Sequence, residues 1–143
     1  NKLNIVCVGG KKFNKDETRL FKKKGLLNYI HYFQLNDDQL NYAYQKAICH
    51  IIVSKAEGFG VTILEAQKNN CKILCPKLPI FNEVAKNSIF YFELNDIEDF
   101  NFQLLKIINK NYDKEIYEKM KLNLENFNIL KQKKELKKIF LEI

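Results

Sequence analysis

The chain has 143 residues, 46% of them hydrophobic and 29% charged, with a formal net charge of +7. That length suits one domain with a substantial core. Its longest apolar runs fall far short of the roughly 18 residues of a membrane span, and no signal-type segment leads it. A soluble, cytoplasmic protein is therefore expected, with contact to an anionic membrane surface at the cytoplasmic face left open. All the basic residues but Arg19 are Lys, and Lys, Asn, Ile, Phe and Tyr share AT-rich codons. Readers of specific nucleic-acid sequence usually place Arg at base edges, so a solvated Lys-rich surface is expected and no specific nucleic-acid partner.

In chain order, Leu3-Asn4-Ile5-Val6-Cys7-Val8 reads as a strand closed by Gly9-Gly10. A loop to Asn14 follows, then helical spacing from Asp16 to Lys24, with Gly25 as a stop. Tyr29 to Phe33 reads as a second strand. Asn36 can cap the next helix, with Asp37 and Asp38 in its first turn and Leu40, Tyr44 and Ala47 as its buried stripe. Cys49 to Val53 is a third strand. A helix is expected from about Val61 to Lys68, ended by Asn69-Asn70, since Asn tolerates the left-handed conformation. Lys72 to Cys75 is a fourth strand stopped by Pro76. Pro79 to Val84 reads as a turn or short helix, and Ser88 to Phe92 as a fifth strand. From Asp96 onward the pattern is helical, through Phe100, Leu104, Leu105 and Ile108, then Tyr117, Met120 and Leu124, then Leu136, Ile139 and Phe140.

Strands alternating with helices predict an α/β, Rossmann-like parallel sheet with helices on both faces and a helical C-terminal tail. The strands are nearly continuous apolar runs, as expected for strands buried on both sides. Cys7, Cys49, Cys71 and Cys75 lie in or beside such runs, so they read as small buried hydrophobes rather than metal ligands or a disulfide framework. His31 and His50 sit in apolar runs and read as core or edge residues.

The informative stretch is Glu57-Gly58-Phe59-Gly60-Val61-Thr62-Ile63-Leu64-Glu65-Ala66, between the third strand and the helix after it. Glycines let backbone approach a ligand closely, and a helix N-terminus offers unpaired N–H groups to phosphate. Two glutamates, seven residues apart, can accept hydrogen bonds from sugar hydroxyls. The segment thus carries parts for a nucleotide-sugar, and it lies at the carboxyl end of a strand, where open parallel sheets bind ligands.

This Glu-Gly-Phe-Gly-x-x-x-Leu-Glu-Ala pattern resembles the Glu-x7-Glu segment of retaining GT-B glycosyltransferases of the glycosyltransferase 4 family, the group 1 type. Val8-Gly9-Gly10, the Asn36-Asp37-Asp38-Gln39-Leu40 helix start with Tyr44 and Ala47, Ser54, and Phe81-Asn82-Glu83-Val84 resemble further family segments in the same order. The resemblance covers about residues 3 to 110 and implies the donor-binding half of a GT-B fold, spanning 1–143. It implies transfer of a sugar, with retention, from a UDP- or GDP-linked donor to an acceptor the chain does not name, with no cofactor and no metal. By the same resemblance Glu57 holds hydroxyls of the transferred sugar and is the catalytic-site carboxylate. Gly58, Phe59 and Gly60 offer amides to the sugar and diphosphate, and Val61 and Thr62 approach the phosphates. Glu65 takes the ribose hydroxyls, and Leu35 packs beside the base.

Three departures from the family pattern set further expectations. The family's donor domain opens with a strand followed by Gly-Arg and Lys-Gly, and nothing before Leu3 matches it. The N-terminal acceptor-binding domain has no counterpart here. Asn69-Asn70 and Asn82 replace the usual small-Gly turn and a Pro. The chain is therefore expected to be a piece of a longer protein and inactive as such. An unpaired gap is expected between the Leu3 and Cys49 strands, and with it self-association. A non-catalytic α/β protein-interaction module derived from such a domain is the alternative, and a Lys-rich nucleic-acid binder a third reading.

Overall fold

The computed structural model describes residues 3–109 and 114–127, in two compact units, 1–40 and 41–143. The expected helix through Leu136, Ile139 and Phe140 lies outside the described residues.

The first unit holds β1 (Ile5–Val8), α1 (Lys15–Lys23), β2 (Ile30–Phe33) and the start of α2 (Asp37–Lys46). β1 and β2 pair in parallel, Ile5 beside Ile30 through Val8 beside Phe33. Asn14 caps α1: its side chain accepts from the amides of Asp16 and Glu17, and the Glu17 carboxylate accepts from the Asn14 amide at 2.7 Å. Asn36 and Gln39 make the same reciprocal pair at the start of α2. Packing rests on Phe13, whose ring meets Phe21 and Tyr32 edge-on, with centroids 5.0 and 6.0 Å away. No described residue of this unit is buried.

The second unit holds the rest of α2, then β3 (His50–Ile51), α3 (Val61–Lys68), β4 (Ile73–Pro76), α4 (Pro79–Ala85), β5 (Phe90–Phe92), α5 (Ile97–Asn109) and α6 (Lys114–Asn126). Its sheet is β3-β4-β5, parallel throughout. Every residue of β4 is buried. Leu74, Phe92 and Ile107 pack with Phe90, Phe100 and Leu104, and Ile63, Ala66, Phe81, Val84, Ile116 and Met120 are also buried. A polar cluster sits inside this core. Gln67 donates to Ser88 at 2.7 Å, and the Asn123 amide donates to Gln67 and to the carbonyl of Val84, at 2.9 and 3.0 Å. Each of these buried groups has a partner, which removes most of the cost of burying it.

The expected sheet therefore exists as two separate parallel sheets, of two and three strands, with no pairing between β1 and β3 among the described residues. This corrects the expectation that all strands are buried on both sides. Ile5, Val6 and Val8 of β1 are exposed, as are Ile51 and Val53 at β3. Among the described residues β4 has a strand on each side, and β1 and β3 have one each. Strand pairing alternates along the chain. Ile5 and Gly9 donate toward β2, and His50 and Ile52 toward β4. The backbone polar groups of Val6, Val8, Ile51 and Val53 consequently point away from the strand each is paired with.

Two smaller differences have local causes. Pro76 stops β4 from within, as its last residue, paired with Phe92. Its missing N–H falls on the side of β3, which has ended by then, while Lys77 donates to the Phe92 carbonyl on the other side. Ala47 is exposed rather than buried, because α2 ends at Lys46. Cys71 and Cys75 are buried and Cys7 and Cys49 half-buried, all four as free thiols. No helix among the described residues is long and apolar enough to cross a membrane.

Candidate functional site

The glycine turn follows β3 and opens α3. Gly60 stands at the helix N-cap with φ 78° and ψ 40°, in the left-handed region. A side chain there would be strained, and its Cβ would also meet Ile63 at 3.4 Å and the Phe81 ring at 3.6 Å. Gly60 is thus needed for its dihedrals and for its seat against the buried core. The Gly60 carbonyl accepts from Ile63 at 2.9 Å and starts the helix. The amides of Val61 and Thr62, in the first turn, have no intrahelical carbonyl to bond, and both residues are exposed. Ile63, Ala66 and Gln67 face the core, which leaves Val61, Thr62 and Glu65 on one outward side, three and four residues apart.

Glu57 and Gly58 are exposed, and Phe59 is half exposed, its ring edge-on to Phe127 with centroids 6.0 Å apart. Glu65 is half-buried. Its carboxylate Oε2 lies 3.4 Å from the hydroxyl of Tyr44 on α2. At the far end of α3, Asn70 takes φ 55° and Cys71 donates back to the Ala66 carbonyl at 2.9 Å, so the Asn-Asn stop operates as expected. The turn thus brings Glu57, Gly58, Phe59, Gly60, Val61, Thr62 and Glu65 onto one strand-to-helix connection. Leu35 lies in the β2–α2 loop of the first unit, half-buried. Glu83 is exposed on α4 while its neighbours Phe81 and Val84 are buried.

Burial pushes the thiols of Cys71 and Cys75 up to about 12 and that of Cys49 to about 11. None of the three is poised as a nucleophile. Burial also lowers His50 to about 4, so its imidazole is neutral near pH 7. Its ring stands edge-on to Tyr44, centroids 5.3 Å apart. A shallow cavity of about 310 Å³ opens beside Val53, Lys55, Leu94, Ile97 and Phe100. None of the sequence-predicted site residues lines it. The sequence had marked Tyr44 as part of a buried stripe and of the segment that resembles the family helix; its link to Glu65 has no signature at a separation of 21 residues.

A parallel sheet flanked by helices, with a glycine turn and an open helix start at the end of a strand, defines a Rossmann-like half of a GT-B fold. Solved structures agree. The sucrose-phosphate synthase of Thermosynechococcus elongatus matches 96% of this chain and 39% of its own, with TM-score 0.75 at 14% identity. The pneumococcal O-GlcNAc transferase GtfA, solved with UDP and GlcNAc, matches 96% of this chain and 30% of its own, with TM-score 0.70 at 16% identity. A family model described as glycosyl transferases group 1 matches residues 1–127, and the chain belongs to that family. Curated relatives include the serotype-specific mannosyltransferase WbdA of Escherichia coli, 27% identical over 92 residues. The O-antigen chain mannosyltransferase RfbU of Salmonella typhimurium is 30% identical over 73 residues. These matches cover 62% and 51% of this chain but only 11% and 20% of the relatives' lengths.

Proposed function

We propose that this chain is the donor-binding domain of a retaining glycosyltransferase of the glycosyltransferase 4 type, acting on a UDP- or GDP-linked hexose. One observation carries the reading: Gly60, held left-handed against Phe81, opens α3 with the exposed residues Val61 and Thr62 in its first turn and the half-buried Glu65 one turn further on. In this reading Glu57 holds the hydroxyls of the transferred sugar, and Gly58, Phe59 and Gly60 present amides to the sugar and diphosphate. Val61 and Thr62 meet the phosphates, and Glu65 takes the ribose. The developing charge on the leaving diphosphate is met by amides and basic side chains, without a metal or other cofactor. Because two relatives are named as mannosyltransferases, mannose is the first sugar to test.

The chain spans a small share of those relatives, so the 143 residues alone are proposed to bind the nucleotide weakly and to transfer little sugar. The partner they need is an acceptor-binding domain. The open edges of β1 and β3 favour self-association, measurable by light scattering. The reading places the protein in the cytoplasm, with contact at the membrane's cytoplasmic face measurable by sedimentation with anionic vesicles. Calorimetry with UDP, GDP and ADP on the parent and on Glu65→Ala tests the donor site. Binding by the parent that Glu65→Ala weakens supports it; a folded parent that binds none of the three overturns it. Proton magnetic resonance of the product formed by the complete enzyme decides retention.

A further inference from the structure

The second half of α2 grips α3 through a polar seam. Asn41, Tyr44 and Gln45 lie three and four residues apart, on one side of α2. The Asn69 amide donates to Asn41 Oδ1 at 2.8 Å, Gln45 donates to Asn69 Oδ1 at 3.1 Å, and the Asn69 amide also meets the Glu65 carbonyl at 2.9 Å. One turn back along α3, the Tyr44 hydroxyl reaches the Glu65 carboxylate. Tyr44 is 7% exposed and its ring is wedged edge-on against His50. Its hydroxyl is therefore fixed in space, unlike the three-bond side chain of Glu65.

We propose that Tyr44 is a positioning residue for the nucleotide site: its hydroxyl donates to Glu65 Oε2 and so leaves Oε1 turned outward to accept the ribose hydroxyls. The inference rests on the donor-site reading above. Burial, reinforced by the charge of Glu65, pushes the Tyr44 hydroxyl up to about 12, so it keeps its proton and remains a donor. At 3.4 Å the contact is long, as hydrogen bonds around unliganded sites often are before a ligand tightens them. A free glutamate samples several rotamers, and each must be given up when the nucleotide binds. Tyr44 gives them up beforehand.

Tyr44→Phe keeps the ring and its packing and removes only the hydroxyl. Calorimetry would compare the diphosphate that the parent binds best (UDP, GDP or ADP) with its 2′,3′-dideoxy counterpart. Tyr44→Phe is expected to weaken the ribose form by about tenfold, the scale of a hydrogen bond to a charged group, and to leave the dideoxy form unchanged. In a Glu65→Ala background Tyr44→Phe should have no further effect. Equal losses for both ligands, or no loss for either, overturn the positioning role while the donor site stands. Absence of binding by the folded parent overturns the donor site and this inference with it. Circular dichroism checks folding. Glu65→Ala, at a half-buried position, provides the same test from the other side: it should erase the parent's preference for the ribose form, and a preserved preference overturns the proposal.

Discussion

The two units of this chain use the same local grammar and reach different degrees of burial. In residues 3–40, two apolar strands and a well-capped helix produce no buried residue. In residues 41–127, three strands and their helices enclose β4 completely. Apolar content does not separate them, since Ile5, Val6 and Val8 are as hydrophobic as Ile73 and Leu74. What separates them is the number of neighbours. β4 is flanked on both sides, and α3, α4, α5 and α6 of the same unit each bury residues of their own. A two-stranded parallel pair has little interior to offer its own side chains. The capping boxes at Asn14 and Asn36 set where helices begin, but caps organise backbone without supplying a core.

The largest test of this contrast is Phe81→Ala. Phe81 is fully buried and lies against Gly60, so the variant should lose about 3–5 kcal/mol, read from denaturant melts. A loss below about 1 kcal/mol would break the claim that the second unit owns the core. Next in size is the pH dependence of His50. Its folded value is lowered from 6.5 to about 4 by burial, so the unfolded chain takes up the proton first as the medium acidifies. Stability should fall as pH drops from about 6.5 to about 4, by up to about 3 kcal/mol, and level off below. His50→Phe should flatten that part of the profile.

Gly60→Ala comes third. It places a side chain at positive φ and should cost about 1–2 kcal/mol, with loss of nucleoside diphosphate binding in calorimetry. The smallest effect is expected in the first unit. Val6→Ala, at a residue 51% exposed, should cost less than about 0.5 kcal/mol. Val6→Lys should leave stability similar but reduce association in light scattering, since a charge on an open edge blocks strand addition. Amide exchange sharpens the same comparison without mutation: the β1–β2 amides should exchange well before those between β3, β4 and β5.

Much of the local structure was legible in the order of residues. The bounds of α3, the cap at Asn36, the left-handed stop at Asn70 and the alternation of strands with helices all follow from interactions within a few residues. So does the shape of the glycine turn, because a helix opening at Gly60 depends on dihedrals that few other residues tolerate. The sequence alone could therefore nominate Glu57–Glu65 as a nucleotide-sugar segment. It could not decide which apolar strands are covered, why Pro76 is tolerated in β4, or that Tyr44 meets Glu65. Each of these depends on which distant segment lies alongside, and a residue's own hydrophobicity carries no record of its neighbour. Local chemistry set the parts of the candidate site; tertiary packing decided that one core holds Gly60 in place and that a hydroxyl from another helix stands against Glu65.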